Sequence, residues 1–193
     1  RAGYRASIAS KEAVRRDLPK AGEMSFTRQM APLGLGHAVW CARDIIGNEP
    51  FAVLLPDVIV DAAPGALGQL MRAYDLVGGN IVGVEEVPVT ETHKYGIVDP
   101  ERQEGRMIAM KGMVEKPKQG TAPSNLSIAG RYILQPEIFG ILETQPRGAG
   151  GEIQMTDAMA TLMGEQRFTA YQYEGVTHDC GDKIGLLRAN VAL

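Results

Sequence analysis

An aspartate at the end of a strongly apolar run is the first candidate for chemistry in this sequence. The run covers residues 50–55, is bounded by proline on both sides, and is followed by Asp57. Such a run predicts a strand of a parallel sheet that is buried on both faces. Ligands of open α/β sheets bind beyond the carboxyl ends of the strands, where a carboxylate is a good oxygen ligand for Mg²⁺ that carries phosphates. Asp57 is therefore a candidate metal ligand, and a turn or helix cap by Asp57 is the alternative.

The sequence Glu115-Lys116-Pro117 ends another predicted strand. Glu115 could accept hydrogen bonds from two sugar hydroxyls, and Lys116 could neutralise a phosphate. Neighbouring residues of a strand face opposite sides, so both reach one ligand only at a bend, which Pro117 favours. An exposed, ion-rich turn is the alternative.

Two glycines, Gly34 and Gly36, stand before a predicted helix. The backbone N–H groups at such a position can bind an anion or the edge of a base. Just upstream, the Gln29 amide could donate to and accept from a planar base such as uracil. A turn without a ligand and a surface glutamine are the alternatives, since a pair of glycines is a weak signal on its own.

An acidic turn, residues 179–183, precedes the last predicted helix. Asp179 could supply a second carboxylate to a metal, whereas helix capping by Asp182 would need no ligand. The three histidines are too scattered to predict a three-ligand metal site. Neither a Gly-x-Ser-x-Gly elbow nor a P-loop occurs in the sequence, so these two site types have no support.

Alternating extended and helical patterns must position these residues. The predicted strands are residues 24–29, 50–55, 81–87, 95–98, 107–115, 126–134 and 168–173. The predicted helices are residues 9–16, 36–46, 65–77, 136–143, 152–164 and 183–193. The strands after Pro88 follow one another without long helices, which indicates antiparallel additions to a parallel sheet. The pattern predicts an α/β sandwich with a mixed central sheet.

The composition limits the classes of protein to consider. The 193 residues include 20 Lys or Arg and 23 Asp or Glu, with a formal net charge of -3. Hydrophobic residues make up 45% and charged residues 22%, which is typical of a globular domain and excludes disordered, collagen-like and coiled-coil proteins. We expect one domain, residues 1–193. A mildly acidic balance without a dense Lys/Arg stripe argues against a nucleic-acid partner.

Cysteine usage and hydropathy predict the compartment. Cys41 and Cys180 are the only cysteines and belong to no metal-binding pattern, so we expect neither a disulfide scaffold nor a zinc module. The most apolar stretch, residues 51–60, is too short to cross a bilayer, and no signal pattern opens the chain. We therefore expect a soluble, cytoplasmic protein with no membrane partner.

In their order and spacing, these motifs closely resemble the family of bacterial UTP–glucose-1-phosphate uridylyltransferases, also called UDP-glucose pyrophosphorylases. The resemblance extends from about residue 24 to the end. It rests on residues 26–43, 50–57, 93–98, 114–117, 123–126 with 130–132, 148–154 with 156–157, and 179–183. Seven ordered blocks are far more specific than any single glycine motif.

The resemblance implies an α/β fold of the Rossmann-like nucleotidyltransferase type, a three-layer sandwich with a mixed central sheet. It implies that UTP and α-D-glucose 1-phosphate react to give UDP-glucose and pyrophosphate, with Mg²⁺ as cofactor. It also implies a homo-oligomer.

On the nucleotide side, the resemblance assigns Gln29 and the backbone at Gly34 to uracil. Asp57 matches a Mg²⁺ ligand, and Asp179 matches a second metal-binding aspartate of related sugar nucleotidyltransferases.

On the sugar side, the resemblance assigns the Gly96 backbone to the wall of the pocket. Glu115 would hold glucose hydroxyls, Lys116 would meet the sugar phosphate, and Ile128 to Gly130 would form the floor under the sugar.

One feature of the family is absent from this sequence. No Gly-x-Gly-Thr-Arg type loop followed by a lysine, which would cradle the triphosphate, is present. We expect that this loop and the first strands of the fold lie outside this sequence, and that this piece alone is a poor catalyst. Two alternatives stay open: a nucleotidyltransferase for another sugar phosphate or base, and a non-catalytic homologue that binds a UDP-sugar.

Overall fold

A mixed sheet organises residues 18–193, the part of the chain that the computed structural model describes. The strands are β1 (Phe51–Leu54), β2 (Val58–Asp61), β3 (Asn80–Glu86), β4 (Gly96–Glu104), β5 (Met107–Glu115), β6 (Leu126–Leu134), β7 (Phe168–Gln172) and β8 (Val176–Asp179). Six of them form the main sheet in the order β1-β6-β3-β7-β5-β4, and β2 pairs antiparallel with β8 in a separate ribbon. The start of β4 also contacts β6, through Ile97 and Ser127.

Helices cover both faces of the main sheet. They are α1 (Leu35–Trp40), α2 (Arg43–Ile46), α3 (Ala66–Val77), α4 (Ile138–Thr144), α5 (Met155–Leu162) and α6 (Lys183–Ala192), with short 3₁₀ turns at Val89–Lys94 and Ala149–Gly151. Alternate residues of β3 enter different cores, because Val82 and Val84 pack with α4 and α5 whereas Ile81 packs with α3. The result is a three-layer sandwich, which confirms the predicted α/β fold class.

The mixed character of the sheet is also confirmed. Among the described strands, β3 and β7 form the parallel pair, and every other pairing is antiparallel. The antiparallel strands after Pro88 were expected from the lack of long helices between them. Helix α3 ends at Gly78, whose φ of 61° stops the helix as predicted.

The prediction that residues 50–55 form a central strand buried on both faces is wrong for the described structure. Strand β1 pairs only with β6, antiparallel, and its residues alternate between half-buried and exposed, with Leu54 48% exposed. Both β1 and β3 run antiparallel to β6, so they are parallel to each other but not adjacent. An apolar run predicts that a strand is buried, but it does not predict which strands pair with it.

Two further predictions need correction. Residues 24–29 are not a strand, since they pair with no described strand and leave Phe26 87% exposed. Residues 36–46 form two short helices, α1 and α2, because the Ala42 N–H bonds to Val39 O, three residues back, which tightens the turn between them. The sequence reading also missed strands β2 and β8, and its helix at residues 9–16 lies outside the described residues.

The strand predicted at residues 95–98 is longer, since β4 extends to Glu104. The remaining predicted elements are confirmed to within a few residues at their ends. Within residues 18–193, no helix combines the length and the hydropathy needed to cross a lipid bilayer.

Candidate active site

A cavity of about 340 Å³ opens where several strands end or begin on one side of the main sheet. The segment after β1, the ends of β3 and β5, and the beginnings of β4 and β6 all reach it. Seven of the nine predicted site residues line this cavity: Asp57, Gly96, Glu115, Lys116, Ile128, Gly130 and Asp179. The fold therefore brings together residues that are up to 122 positions apart in the chain.

Two carboxylates, those of Asp57 and Asp179, converge at one end of the cavity. The β2–β8 ribbon places Val58 opposite Asp179, and the Cys180 N–H donates to Asp57 O at 2.7 Å. An added Cβ on Gly181 would lie 3.0 Å from Asp179 Oδ1 and 3.6 Å from Asp57 Oδ2, so both side chains flank the same point. No cluster of three or more His, Cys, Asp or Glu side chains suited to a metal ion occurs among residues 18–193.

A buried arginine fixes the turn that carries Asp57. The Arg131 guanidinium is 9% exposed and donates to the carbonyls of Leu55 at 3.0 Å and Gly130 at 3.2 Å. It also donates to Val58 O, so its acceptors lie on both sides of Asp57 in the chain. Charged donors make the stronger hydrogen bonds in proteins, and these three hold the turn against the sheet.

The substitution Arg131→Met is expected to lower the free energy of unfolding by about 2–4 kcal/mol, because it leaves buried carbonyls without a donor. Urea unfolding followed by circular dichroism measures the change. Arg102→Met is the matched control, since Arg102 is exposed and forms an ion pair with the exposed Glu104; it should change stability by less than about 0.5 kcal/mol. Equal losses in both variants would contradict the structural role of Arg131.

Gly130 permits the close contact between this turn and the sheet. Its φ is 65°, and a Cβ there would lie 2.9 Å from Cγ and Cδ1 of Leu55. Any other residue would be strained in this conformation and would push Leu55 away. Gly130 therefore belongs to the cavity as a point of close packing.

Glu115 and Lys116 meet in the wall of the same cavity. Glu115 ends β5, its side chain is 15% exposed, and the Thr156 hydroxyl donates to Glu115 Oε2 at 2.7 Å. Lys116 follows with a φ of 42°, in the left-handed region, and its side chain is 59% exposed. This bend turns both neighbours toward one cavity, with Lys116 Nζ 3.9 Å from Glu115 Oε1.

The bend at Lys116 costs backbone strain, since non-glycine residues adopt this conformation rarely. The Lys116 N–H donates to Tyr95 O at 3.0 Å, which secures the conformation. Strain of this kind is concentrated at functional sites, where the surrounding structure maintains it.

The first residue of β4 forms the wall beside Glu115. Gly96 pairs with Glu115 across the two strands, and an added Cβ would lie 3.1 Å from Glu115 Oε2 and Thr156 Oγ1. The same Cβ would lie 3.2 Å from Ile128 Cδ1. Gly96 therefore presents its backbone to the cavity, with Ile128 as an apolar neighbour.

Gln29 and Gly34 lie together but outside the residues that line the cavity. Gln29 Nε2 contacts Gly34 O at 3.0 Å and His37 Nδ1 at 2.9 Å. The Gly36 N–H donates to Ile153 O at 2.9 Å, so this donor has a protein partner, contrary to the expectation of an exposed backbone group. Leu35, the first residue of α1, does line the cavity.

The sequence analysis assigned no role to eight further polar residues of the cavity wall: Glu85, Lys94, Tyr95, Ser127, Tyr132, Gln154, Thr156 and Thr177. Burial raises the pKa of Glu85, a hydrogen bond from Thr177 lowers it, and the negative charge of Asp179 raises it further. Burial also raises the pKa of Tyr95. Thr177 lies on a strand that was not predicted, and Glu85 stands in a charged strand end, so neither gave a local signal.

The fold and the cavity together define a nucleotidyl transferase. The sequence matches the nucleotidyl transferase family over residues 7–193, and the chain belongs to this family. A curated relative from Bacillus subtilis, UTP–glucose-1-phosphate uridylyltransferase, is 55% identical over 165 residues. The same name is given to a relative from Staphylococcus epidermidis that is 51% identical over 166 residues. The predicted family resemblance is thereby confirmed.

A solved structure gives the same result. The crystal structure of UDP-glucose pyrophosphorylase complexed with UDP-glucose matches with a TM-score of 0.84 and 44% sequence identity, over 87% of this chain and 65% of that one. The two curated relatives are matched over 86% of this chain in each case. The chain spans 56% and 58% of the length of these relatives.

Proposed function

We propose that the protein transfers a uridylyl group from UTP to α-D-glucose 1-phosphate, giving UDP-glucose and pyrophosphate. The observation that carries the proposal is the cavity in which Glu115 and Lys116 face the same space as Asp57 and Asp179. Groups suited to a sugar, a phosphate and a metal thus occupy one site. The names of the curated relatives and the UDP-glucose complex of the solved relative support this choice of substrates.

A divalent metal is usual in nucleotidyltransferases, and we propose Mg²⁺ with Asp57 and Asp179 as its protein ligands. The donors fit this ion, because Mg²⁺ prefers oxygen ligands and is commonly held by one or two carboxylates together with substrate phosphates and water. When bound, Mg²⁺ would neutralise the charge of the triphosphate. Two carboxylates are therefore a sufficient protein contribution.

The remaining residues of the cavity would bind and orient the substrates. Lys116 would neutralise the sugar phosphate and hold its oxygen in line with the α-phosphorus of UTP. That oxygen forms the new bond as pyrophosphate leaves, so no protein nucleophile is required. Glu115 would accept hydrogen bonds from glucose hydroxyls.

The other assigned residues would shape the two subsites. Gly96, Ile128 and Gly130 would line the sugar pocket, and Gln29 with the Gly34 backbone would contact uracil. For Gln29 this requires its amide to leave the present contacts with Gly34 O and His37 Nδ1.

The proposal has three further parts. The length of the chain and the family match support a single nucleotidyltransferase domain over residues 1–193. Family likeness supports a homo-oligomer, and cysteine usage supports the cytoplasm.

The test is pyrophosphate release by the intact protein with Mg²⁺, comparing UTP with dTTP, ATP and GTP, and glucose 1-phosphate with galactose 1-phosphate. We expect fast release only with UTP and glucose 1-phosphate. Release with another pair would identify a different nucleotidyltransferase. No release with any pair, in a protein that binds UDP-glucose, would support a non-catalytic homologue.

Glu115→Gln is expected to raise KM for glucose 1-phosphate about tenfold and to leave KM for UTP nearly unchanged. The amide keeps the size of the side chain but loses the charge that strengthens hydrogen bonds from sugar hydroxyls. Steady-state kinetics with each substrate varied in turn measures the effect. Glu143→Gln is the control, because Glu143 is exposed and does not line the cavity. Equal increases of KM for both substrates would remove Glu115 from the sugar subsite.

A further inference from the structure

Glu85 is a carboxylate of the cavity to which the proposed function gives no role. It lies near the carboxyl end of β3, opposite Ser127 of β6, and its side chain is half-buried. Ser127 in turn contacts Ile97 at the start of β4. The strand ends thus place Glu85 and Glu115 in the walls of one cavity, which Ile128 of β6, the neighbour of β3, also lines.

Two hydroxyl groups lie on the Glu85 side of the cavity. Thr177 lines the cavity with Glu85 and lowers its pKa, and the Tyr173 and Thr177 hydroxyl oxygens are 2.8 Å apart. An ionised carboxylate only accepts, so a hydrogen bond between Thr177 and Glu85 would be donated by the Thr177 hydroxyl, with Tyr173 as its donor in turn. Burial raises the pKa of Tyr173 to about 12, so this phenol keeps its proton at neutral pH.

The Glu85 carboxylate has capacity for a ligand. A carboxylate has two oxygens and about four lone-pair sites, and the single proton of the Thr177 hydroxyl can fill only one of them. Sugar hydroxyls are the natural donors in a cavity that also holds Glu115 and Lys116. Acceptors held in place on a half-buried wall discriminate strongly, because a substrate that lacks the hydroxyl leaves them unpaired.

We propose that Glu85 is a specificity-determining residue that accepts a hydrogen bond from one hydroxyl of the sugar phosphate. This inference rests on the proposed function and deepens it. Glu115 and Glu85 then bind the sugar from two strand ends, and Glu85 distinguishes the substrate from a sugar that lacks or inverts the hydroxyl it binds.

The test compares glucose 1-phosphate with its 2-, 3-, 4- and 6-deoxy analogues, using kcat/KM with saturating UTP. In the unaltered protein, loss of the hydroxyl that Glu85 binds is expected to lower kcat/KM about tenfold. In Glu85→Ala, the penalty for that one analogue should disappear, while the penalties for the other analogues remain. Glu86→Ala is the matched control, because Glu86 is the exposed neighbour and does not line the cavity; it should keep all the penalties.

Two further variants keep the test informative if Glu85→Ala fails to fold. Glu85→Gln keeps the shape of the side chain, and Thr177→Val keeps the carboxylate but removes the hydroxyl that lines the cavity beside it. Each should reduce the penalty for the same analogue, and thermal unfolding confirms that the variants fold. If all four penalties stay unchanged in every folded variant of Glu85, the inference is wrong. Failure of the proposed function is seen separately, as the absence of turnover by the unaltered protein with UTP and glucose 1-phosphate.

Discussion

Asp57→Asn is expected to lower kcat about a thousandfold while the protein keeps its fold. The amide is nearly isosteric with the carboxylate but is a poorer ligand for a hard divalent cation. A loss of about 4 kcal/mol of transition-state stabilisation corresponds to this factor. Asp57 is exposed, and its backbone carbonyl, which accepts from the Cys180 N–H, is unaffected by the substitution. Turnover of UTP with glucose 1-phosphate over a range of Mg²⁺ concentrations measures the effect.

The matched control for this change is Asp61→Asn. Asp61 ends β2, four residues further along, is exposed and does not line the cavity, so its substitution should leave kcat within about twofold. Thermal unfolding of both variants separates a catalytic effect from a loss of structure. Unchanged turnover in Asp57→Asn at limiting Mg²⁺ would remove Asp57 from the metal role.

Lys116→Met is expected to lower kcat/KM for glucose 1-phosphate about a hundredfold. The substitution keeps the length of the apolar stem and removes the charge that would neutralise the sugar phosphate, a contribution of about 3 kcal/mol. KM for UTP should change much less. Initial rates with glucose 1-phosphate varied at saturating UTP, and the reverse, measure the two effects.

Lys118→Met provides the comparison for Lys116. Lys118 is exposed, lies two residues further on, and does not line the cavity. Its substitution should leave both kinetic constants close to those of the unaltered protein. If Lys116→Met instead raised only KM for UTP, Lys116 would serve the nucleotide and the sugar-phosphate assignment would fall.

Local pattern explains which parts of the fold could be predicted. Strands β3, β5 and β6 and helix α3 could be predicted from their local apolar patterns, since most of their apolar side chains are buried. Strands β2 and β8 were missed because each has four residues and is held by long-range pairing with the other. The prediction of the strands beside β1 was wrong for the same reason, because pairing partners depend on the tertiary fold and not on the local sequence.

Local sequence likewise predicts some residues of the candidate site, whereas others are found only from the tertiary fold. Asp57 and Glu115 were predictable because each follows or ends a recognisable strand, and strand ends are where ligands bind in such sheets. Glu85 and Thr177 were not, because their importance comes from the cavity that distant segments close around them. The contacts of Gln29 with Gly34 and His37 depend on side-chain conformation, which the spacing of residues in the sequence does not predict.

The pairing of β2 with β8 determines when the candidate metal site forms during folding. It joins segments that are more than a hundred residues apart in the chain, and both candidate metal ligands sit at this junction. Closing so long a loop is slow and carries an entropic cost, so the junction forms only when most of the intervening chain is in place. A ligand that needs both carboxylates therefore favours the fully folded chain over partly folded forms by mass action. Only the fully folded chain therefore binds such a ligand with both carboxylates.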